Sequence, residues 1–464
     1  MRSRSVLAFV VPVVLVAGLS ACTTSVAGTP TNGDSVVNEN PGEAGGVDPS
    51  FVHNTDGGEI DQLAATVITD VKEYWTETFP STFDEEWEDL KGGYYSVDTA
   101  DDDAKPPPCA RRASDVEGNA FYCPTEDVIA WDRAALLPVL KEKFGEAAVM
   151  FVLAHEMGHA VQRRTGLSVE RQQREPEKYP TILIEAQADC YAGAFVRWVS
   201  DGNAKHLKIS KDRLDTAMEA LVMFRDPVGT EQSDQDAHGD AFDRVSAFQD
   251  GYDKGLDLCK EMSVDNRTFT QRGFLSADDA ERGGNLPFDD LLTTITPDLE
   301  TYYKALVTAK GKTWATPSVK TSDASPECAR TDQGPIAYCA ESREIDVATG
   351  DELPQLHVEI GDFATGTILA SRFSMAALAS LEKPLEGEDA QRALLCVTGS
   401  YTGMLLTRQQ GFSLSPGDLD EAIQVLLRYD YPGRDAGGKA VPTGFDRVSI
   451  FRTGVLQGVD ACKV

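Results

Sequence analysis

The sequence predicts an α+β protein laid down twice in one chain. Three observations support this reading: apolar runs with helical spacing, short strand-like segments between them, and an internal repeat. Helices are expected from Asp61 to about Thr78, across two apolar runs near residues 147–162 and 182–199, and from Asp240 to Lys260. A strand is expected around residues 128–131, in a segment from Tyr122 to Asp132 that precedes the first apolar helix.

The repeat is explicit. Phe242-Asp-Arg-Val-Ser-Ala-Phe248, followed by Gly251, Gly255 and Cys259, returns as Phe445-Asp-Arg-Val-Ser-Ile-Phe451, followed by Gly454, Gly458 and Cys462. The stretch from Cys109 to Cys123 is echoed from Cys328 to Cys339, and residues 60–75 by residues 288–303. Residues 287–464 therefore read as a diverged copy of residues 59–263, joined to it by a polar stretch at 264–286. At 464 residues with 41% apolar content, two domains of about 180–200 residues can each bury a core.

The chemistry concentrates in His155-Glu156-Met157-Gly158-His159. On a helix this spacing sets two imidazoles one turn apart with a carboxylate beside them, as a metal and its base require. A tetrahedral catalytic zinc takes three protein ligands plus a water, and Glu185 is the candidate third ligand. Asp189 falls one turn after it on the same face, placed to accept the free N–H of a ligand histidine. In this arrangement Glu156 acts as general base and zinc brings the pKa of its bound water toward about 7. His238 is the candidate donor for a developing oxyanion. Ligand type alone does not separate zinc from cobalt or manganese.

These residues carry a resemblance. Ala154-His-Glu-Met-Gly-His-Ala-Val-Gln162 followed by Glu185-Ala-Gln-Ala-Asp-Cys-Tyr-Ala-Gly193 resembles the neutral zinc metallopeptidases of bacteria, with a ligand set similar to that of the gluzincins. The likeness extends over about residues 59–260, including Phe121-Tyr-Cys-Pro124, His238-Gly239 and Arg244, and departs from the family pattern at Ala160. It implies a zincin-like fold with a mixed sheet against the two site helices, one zinc per chain, and hydrolysis of peptide bonds in a protein or peptide substrate, read here as an endopeptidase. It implies nothing about which substrate.

Read across the repeat, His155 falls on Ser371, Glu156 on Arg372, His159 on Met375, Glu185 on Leu395, Asp189 on Gly399 and His238 on Val441. The second copy is expected to be a pseudo-peptidase without metal. Two roles stay open for it, completing an interface or presenting a platform. A noncatalytic envelope lipoprotein is the competing reading of the whole chain, and Glu156 argues against it, because a purely structural metal site needs no base.

The amino terminus sets the expected compartment. Arg2 and Arg4 precede an apolar run and Leu19-Ser-Ala-Cys22, a signal peptide (1–21) ending at a lipidation cysteine. Residues 22–58 have linker composition with a reach of about 30 Å, so the protein is expected outside the cytoplasmic membrane, held by lipid at Cys22. Nine cysteines less Cys22 leave eight, and repeat symmetry favours Cys109–Cys123, Cys190–Cys259, Cys328–Cys339 and Cys396–Cys462 as disulfides. The net charge of −32 argues against nucleic acid as a partner.

Overall fold

The first of the two site helices starts where a glycine stops its predecessor. Gly145, at φ 76°, caps the helix before it and opens the next one with a single reversal that L side chains rarely adopt. Glu146 in its first turn and Arg163 and Arg164 in its last suit the helix dipole. From Ala147 to Gly158 every side chain is buried, as expected of a helix apolar on all faces.

The computed structural model describes residues 46–235, 237–327, 331–350, 352–408 and 411–464. In the first half α1 (Glu59–Phe83) leads to β1 (Gly93–Val97), β2 (Ala120–Cys123) and β3 (Val128–Asp132). The helices α2 (Leu136–Phe144), α3 (Glu146–Arg164), α4 (Val169–Arg174), α5 (Thr181–Ser200), α6 (Lys211–Met223), α7 (Ala241–Lys254) and α8 (Leu256–Glu261) follow. The second half runs α9 (Ala277–Glu281), α10 (Phe288–Ala309), β4 (Ser318–Ser322), β5 (Ile336–Cys339), β6 (Glu344–Ala348), α11 (Glu352–Glu359), α12 (Asp362–Ser380), α13 (Glu388–Leu406), α14 (Asp418–Arg428) and α15 (Gly444–Gln457). The architecture is α+β, with many helices and two small mixed sheets.

Both sheets have the same plan. In the first, β3 is central, β1 lies parallel to it and β2 antiparallel at the edge; in the second, β6 is central between parallel β4 and antiparallel β5. Most buried apolar residues of both halves join in one continuous cluster, with Val97, Ala113, Val116 and Ala130 in a second, smaller one. Helix α5 is sandwiched between α3 and α7, and its contact with α7 is backbone against backbone. A Cβ on Gly193 would sit 2.0 Å from the Phe248 carbonyl oxygen, and one on Gly251 only 1.8 Å from that of Cys190. Gly399 and Gly454 make the matching contacts on Phe451 and Cys396, at 2.0 and 1.9 Å. The sulfurs of Cys109 and Cys123, Cys190 and Cys259, and Cys396 and Cys462 lie at disulfide distance.

Several expectations change in detail. The strand expected from Tyr122 to Asp132 is a hairpin, turned at Asp127 with φ 55°, and its first strand, β2, is the edge. The helix expected from Asp240 to Lys260 breaks at Gly255, whose φ of 78° ends α7 and starts α8. The stretch before α1, expected as linker to residue 58, is already part of the packing from Val47, which bonds to Thr66, and His53 bridges to Tyr95. Residues 264–286 carry α9, and Thr270 and Gln271 donate backbone N–H groups to the buried Asp243. Against α15, Cys396 and Gly399 stand where Cys190 and Gly193 stand against α7, one turn earlier than the Tyr191–Tyr401 pairing expects. In that register Glu185 falls on Gln391 and Asp189 on Leu395, so neither register supplies a carboxylate or imidazole. The signal peptide, Cys22 and Cys328 lie outside the described residues, and among those described no helix is long and apolar enough to cross a membrane.

Asp362, Asp418 and Glu421 bring three buried carboxylates within 4.8 Å of one another at the starts of α12 and α14. Burial and mutual repulsion push Asp362 up to about 6 and the other two well above the ordinary carboxylate range. The folded chain keeps these protons to higher pH than the unfolded chain, so their contribution to stability is full in acid and is lost as pH rises through the folded values. Asp418→Asn is expected to raise the melting temperature at pH 8 and leave it nearly unchanged near pH 4.5, read by calorimetry across pH. Gly251→Ala, which forces α5 and α7 apart, is expected to cost more than about 3 kcal/mol in denaturant unfolding.

Candidate metal centre

Helices α3 and α5 deliver the site because each places two functional side chains one turn apart on the face it turns to the other. From α3 come His155 and His159, with Glu156 beside them; from α5 come Glu185 and Asp189. Gly158 lets the two helices approach, since a Cβ there would lie 3.0 Å from the Ala188 backbone. Two imidazole nitrogens and one carboxylate converge: His155 Nε2 lies 3.2 Å from His159 Nε2 and 3.2 Å from Glu185 Oε2, and His159 Nε2 lies 3.5 Å from the other oxygen, Glu185 Oε1.

Those separations are a test of fit. Ligands about 2.0–2.1 Å from a tetrahedral zinc stand about 3.3 Å apart, close to the His155–His159 separation and to the approach of each imidazole to one Glu185 oxygen. The tautomers agree. His155 Nδ1 donates to Asp189 Oδ1 at 2.7 Å, and His159 Nδ1 donates to Gln162 Oε1 at 3.0 Å, so each Nε2 is left with its lone pair toward the centre. The Gln162 amide is oriented by its own N–H groups, which go to the Ile184 carbonyl and to Gln187 Oε1. Two lone pairs and a carboxylate facing one another in a buried pocket repel unless a cation lies between them. Without metal a proton fills that need: burial opposes charging of His155, but Asp189 and Glu185 outweigh it and push its pKa up to about 10. Burial also works against ionisation of Glu185, yet His159 and His155 hold it well below its ordinary value.

Around this centre the charges are tied down in layers. Asp189, fully buried, receives the Arg244 guanidinium in a fork, Nε to Oδ2 at 3.0 Å and Nη2 to Oδ1 at 2.9 Å. Burial would raise the Asp189 pKa, but Arg244 and His155 keep it low. The third Arg244 donor, Nη1, reaches the Phe224 carbonyl at 2.8 Å. Glu156 accepts the backbone N–H of Tyr122, on edge strand β2, at 2.8 Å, and burial raises its pKa. One carboxylate thus stands between the donor triad and a strand edge.

His238 is placed differently from the other five. Its imidazole is half exposed and bonds Asp226, which also accepts the N–H groups of His238 and Gly239; none of its hydrogen bonds goes to the triad. The Asp226 bond raises its pKa, with burial opposing and Glu185 adding to it. Sequence reasoning missed Gln162 and Asp226 as supports. Gln162 had a signal, a polar residue three positions after His159 on a buried helix; Asp226 had none, since only folding brings it to His238. Arg244 entered only through resemblance, and its fork on Asp189 is a tertiary fact. In the second half Arg372 stands where Glu156 stands in the first, its guanidinium bound to Gln333 Oε1 and to the Arg434 and Tyr431 carbonyls. Burial pushes it down to about 9.

Known relatives match part of the chain. The uncharacterized protein YpfJ of Escherichia coli K12 is 29% identical over 150 residues, 29% of this chain and 50% of the relative. The uncharacterized proteins Mb2605 of Mycobacterium bovis and Rv2575 of Mycobacterium tuberculosis are each 29% identical over 174 residues, 34% of this chain and 58% of theirs. The chain thus spans about half the length of the relatives it matches. No solved structure matches it. The family described as "putative neutral zinc metallopeptidase" matches residues 10–262, more than half of the sequence and the whole of the site, and the chain belongs to that family.

Proposed function

We propose that this chain is a zinc-dependent peptidase, held outside the cytoplasmic membrane by a lipid on Cys22, with a second half that keeps the fold and has lost the metal. The observation that carries the peptidase reading is the convergence of two imidazole nitrogens and a carboxylate, with a second buried carboxylate, Glu156, beside them that is not one of that group. His155, His159 and Glu185 hold the metal. When bound, zinc supplies Lewis acidity that polarises a carbonyl and makes a water acidic near neutral pH.

The chain's own groups do the rest. Glu156, its pKa raised by burial and its Oε2 fixed by the Tyr122 N–H, takes a proton from water and returns one to the leaving amine. Strand β2, at the edge of its sheet, is where an extended peptide would pair through its backbone, beside the Tyr122 N–H that Glu156 already holds. His238, whose pKa the Asp226 bond raises, is the candidate donor to developing negative charge. The paired cysteines suit an oxidising, extracytoplasmic location.

The second half supports descent from the same fold by its strand order, its glycine contacts and its cysteine pair. Where the first half needs a base it has Arg372, satisfied by carbonyls, and Ser371 and Met375 stand in place of the histidines.

Purified soluble protein is expected to hold about one zinc per chain and to cleave peptides. Glu156→Gln is expected to keep the zinc and to lose about 10²- to 10⁴-fold in turnover. His155→Ala should lose the zinc itself. Metal analysis beside a peptide-library assay checks all three, and a well-folded preparation that takes up no zinc contradicts the reading.

A further inference from the structure

The two halves meet through α6, α7, α14 and α15, and at that junction each half extends one acidic side chain to the other's carboxy-terminal long helix. Asp215 on α6 accepts the backbone N–H groups of Gly444 and Phe445 at the start of α15, both at 2.7 Å. Asp420 on α14 accepts the N–H of Phe242 at the start of α7 at 3.3 Å. Phe242 and Phe445 are the repeat-related residues of the Phe-Asp-Arg-Val-Ser motif, so the two contacts are mirror images. They differ in what lies beyond them.

Behind Asp215 the second half has, among the described residues, no counterpart of the His155, His159 and Glu185 group. The motif arginine there, Arg447, has no carboxylate to fork and donates to the carbonyls of Leu426, Leu427, Val441 and Pro442. Behind Asp420 is the candidate metal centre. Asp420 also pairs with Arg225, Nε to Oδ2 at 3.1 Å. Arg225 is flanked by Phe224, whose carbonyl takes Arg244 Nη1, and by Asp226, which holds His238. Asp226 N–H in turn reaches the Gly239 carbonyl at 3.0 Å. One carboxylate of the second half therefore grips both strands of chain, 224–226 and 238–244, that bring Arg244 and His238 to the site.

We infer that Asp420 is a positioning residue for the metal centre of the first half, acting through the segment at Arg225 and the start of α7 on the Arg244–Asp189–His155 chain. This rests on the metal reading above and deepens it, because it makes the second half the outer wall of the site's support. Asp420 itself is 2% exposed, so solvent screens its end of the grip little, while its partner Arg225 keeps a 29% exposed side chain.

The mirror contact provides the control. Asp420→Ala and Asp215→Ala each remove one inter-half acid, buried at 420 and half-buried at 215, and both are expected to lower stability; Asp420→Asn and Asp215→Asn are milder forms that retain an acceptor. Full-length soluble protein is compared on two readouts. Zinc affinity, by competition with a chromophoric chelator, is expected to weaken about 3- to 10-fold for the Asp420 variants, below the 10- to 100-fold usual when a ligand's own partner is removed, and to stay unchanged for the Asp215 variants. In metal-free protein the His155 Nδ1–H resonance, observed by NMR with labelled histidine, is expected to shift in the Asp420 variants and stay in place in the Asp215 variants. Asn at 420 should recover part of both effects. Equal changes for the two positions, or none at Asp420, overturn the inference. Because the resonance needs no metal, a wild-type protein that binds no zinc defeats the metal reading on a separate readout.

Discussion

Everything at the site hangs on Asp189, a carboxylate with no exposure that is shared between an imidazole and a guanidinium. Its position is on α5, its cation is on α7, and the histidine it orients is on α3. No one of these helices can shift without breaking a charge-assisted hydrogen bond in a medium where the freed charge finds no water. The glycines answer to the same constraint. Gly158 brings α3 onto α5, and Gly193 and Gly251 bring α5 onto α7, closing the layers until side chains of ordinary length can span them. The close approach of three backbones and the short chain of charges are one design.

The second half shows what the fold does when the charges are taken away. Helices α13 and α15 keep the glycine contacts and the cysteine pair, yet Leu395 and Gln391 replace the acids in the register these contacts define. The motif arginine remains buried and turns to backbone carbonyls. The second half builds the same helix packing without those imidazoles and acids, and its junction with the first half carries ion pairs, through Asp420 and Arg225 in one direction and Arg452 and Asp250 in the other.

Local patterns were legible in the sequence, and contacts across helices were not. The pair His155 and His159 with Glu156, and the pair Glu185 and Asp189, could be read because helical periodicity alone puts them on a face. The repeat allowed the cysteine pairs to be assigned, and the three bridges among described residues bring their sulfurs together. The break at Gly255 was visible as a glycine but not as a positive φ. Cys396 falls one turn earlier in the sequence than the Tyr191–Tyr401 pairing expects, but that α13 follows Cys396 rather than Tyr401 in its contact with α15 shows only in the glycine contacts. Gln162, Asp226 and Asp420 act on the site only through tertiary contacts, and single-sequence patterns carry no record of those.

The central claim is that two imidazoles and one carboxylate share a single metal, and X-ray absorption at the zinc edge of the purified protein tests it most directly. The account predicts a four-coordinate shell of nitrogen and oxygen at about 2.0–2.1 Å with two imidazoles and no sulfur. A sulfur shell near about 2.3 Å would place the metal on the cysteines and contradict it.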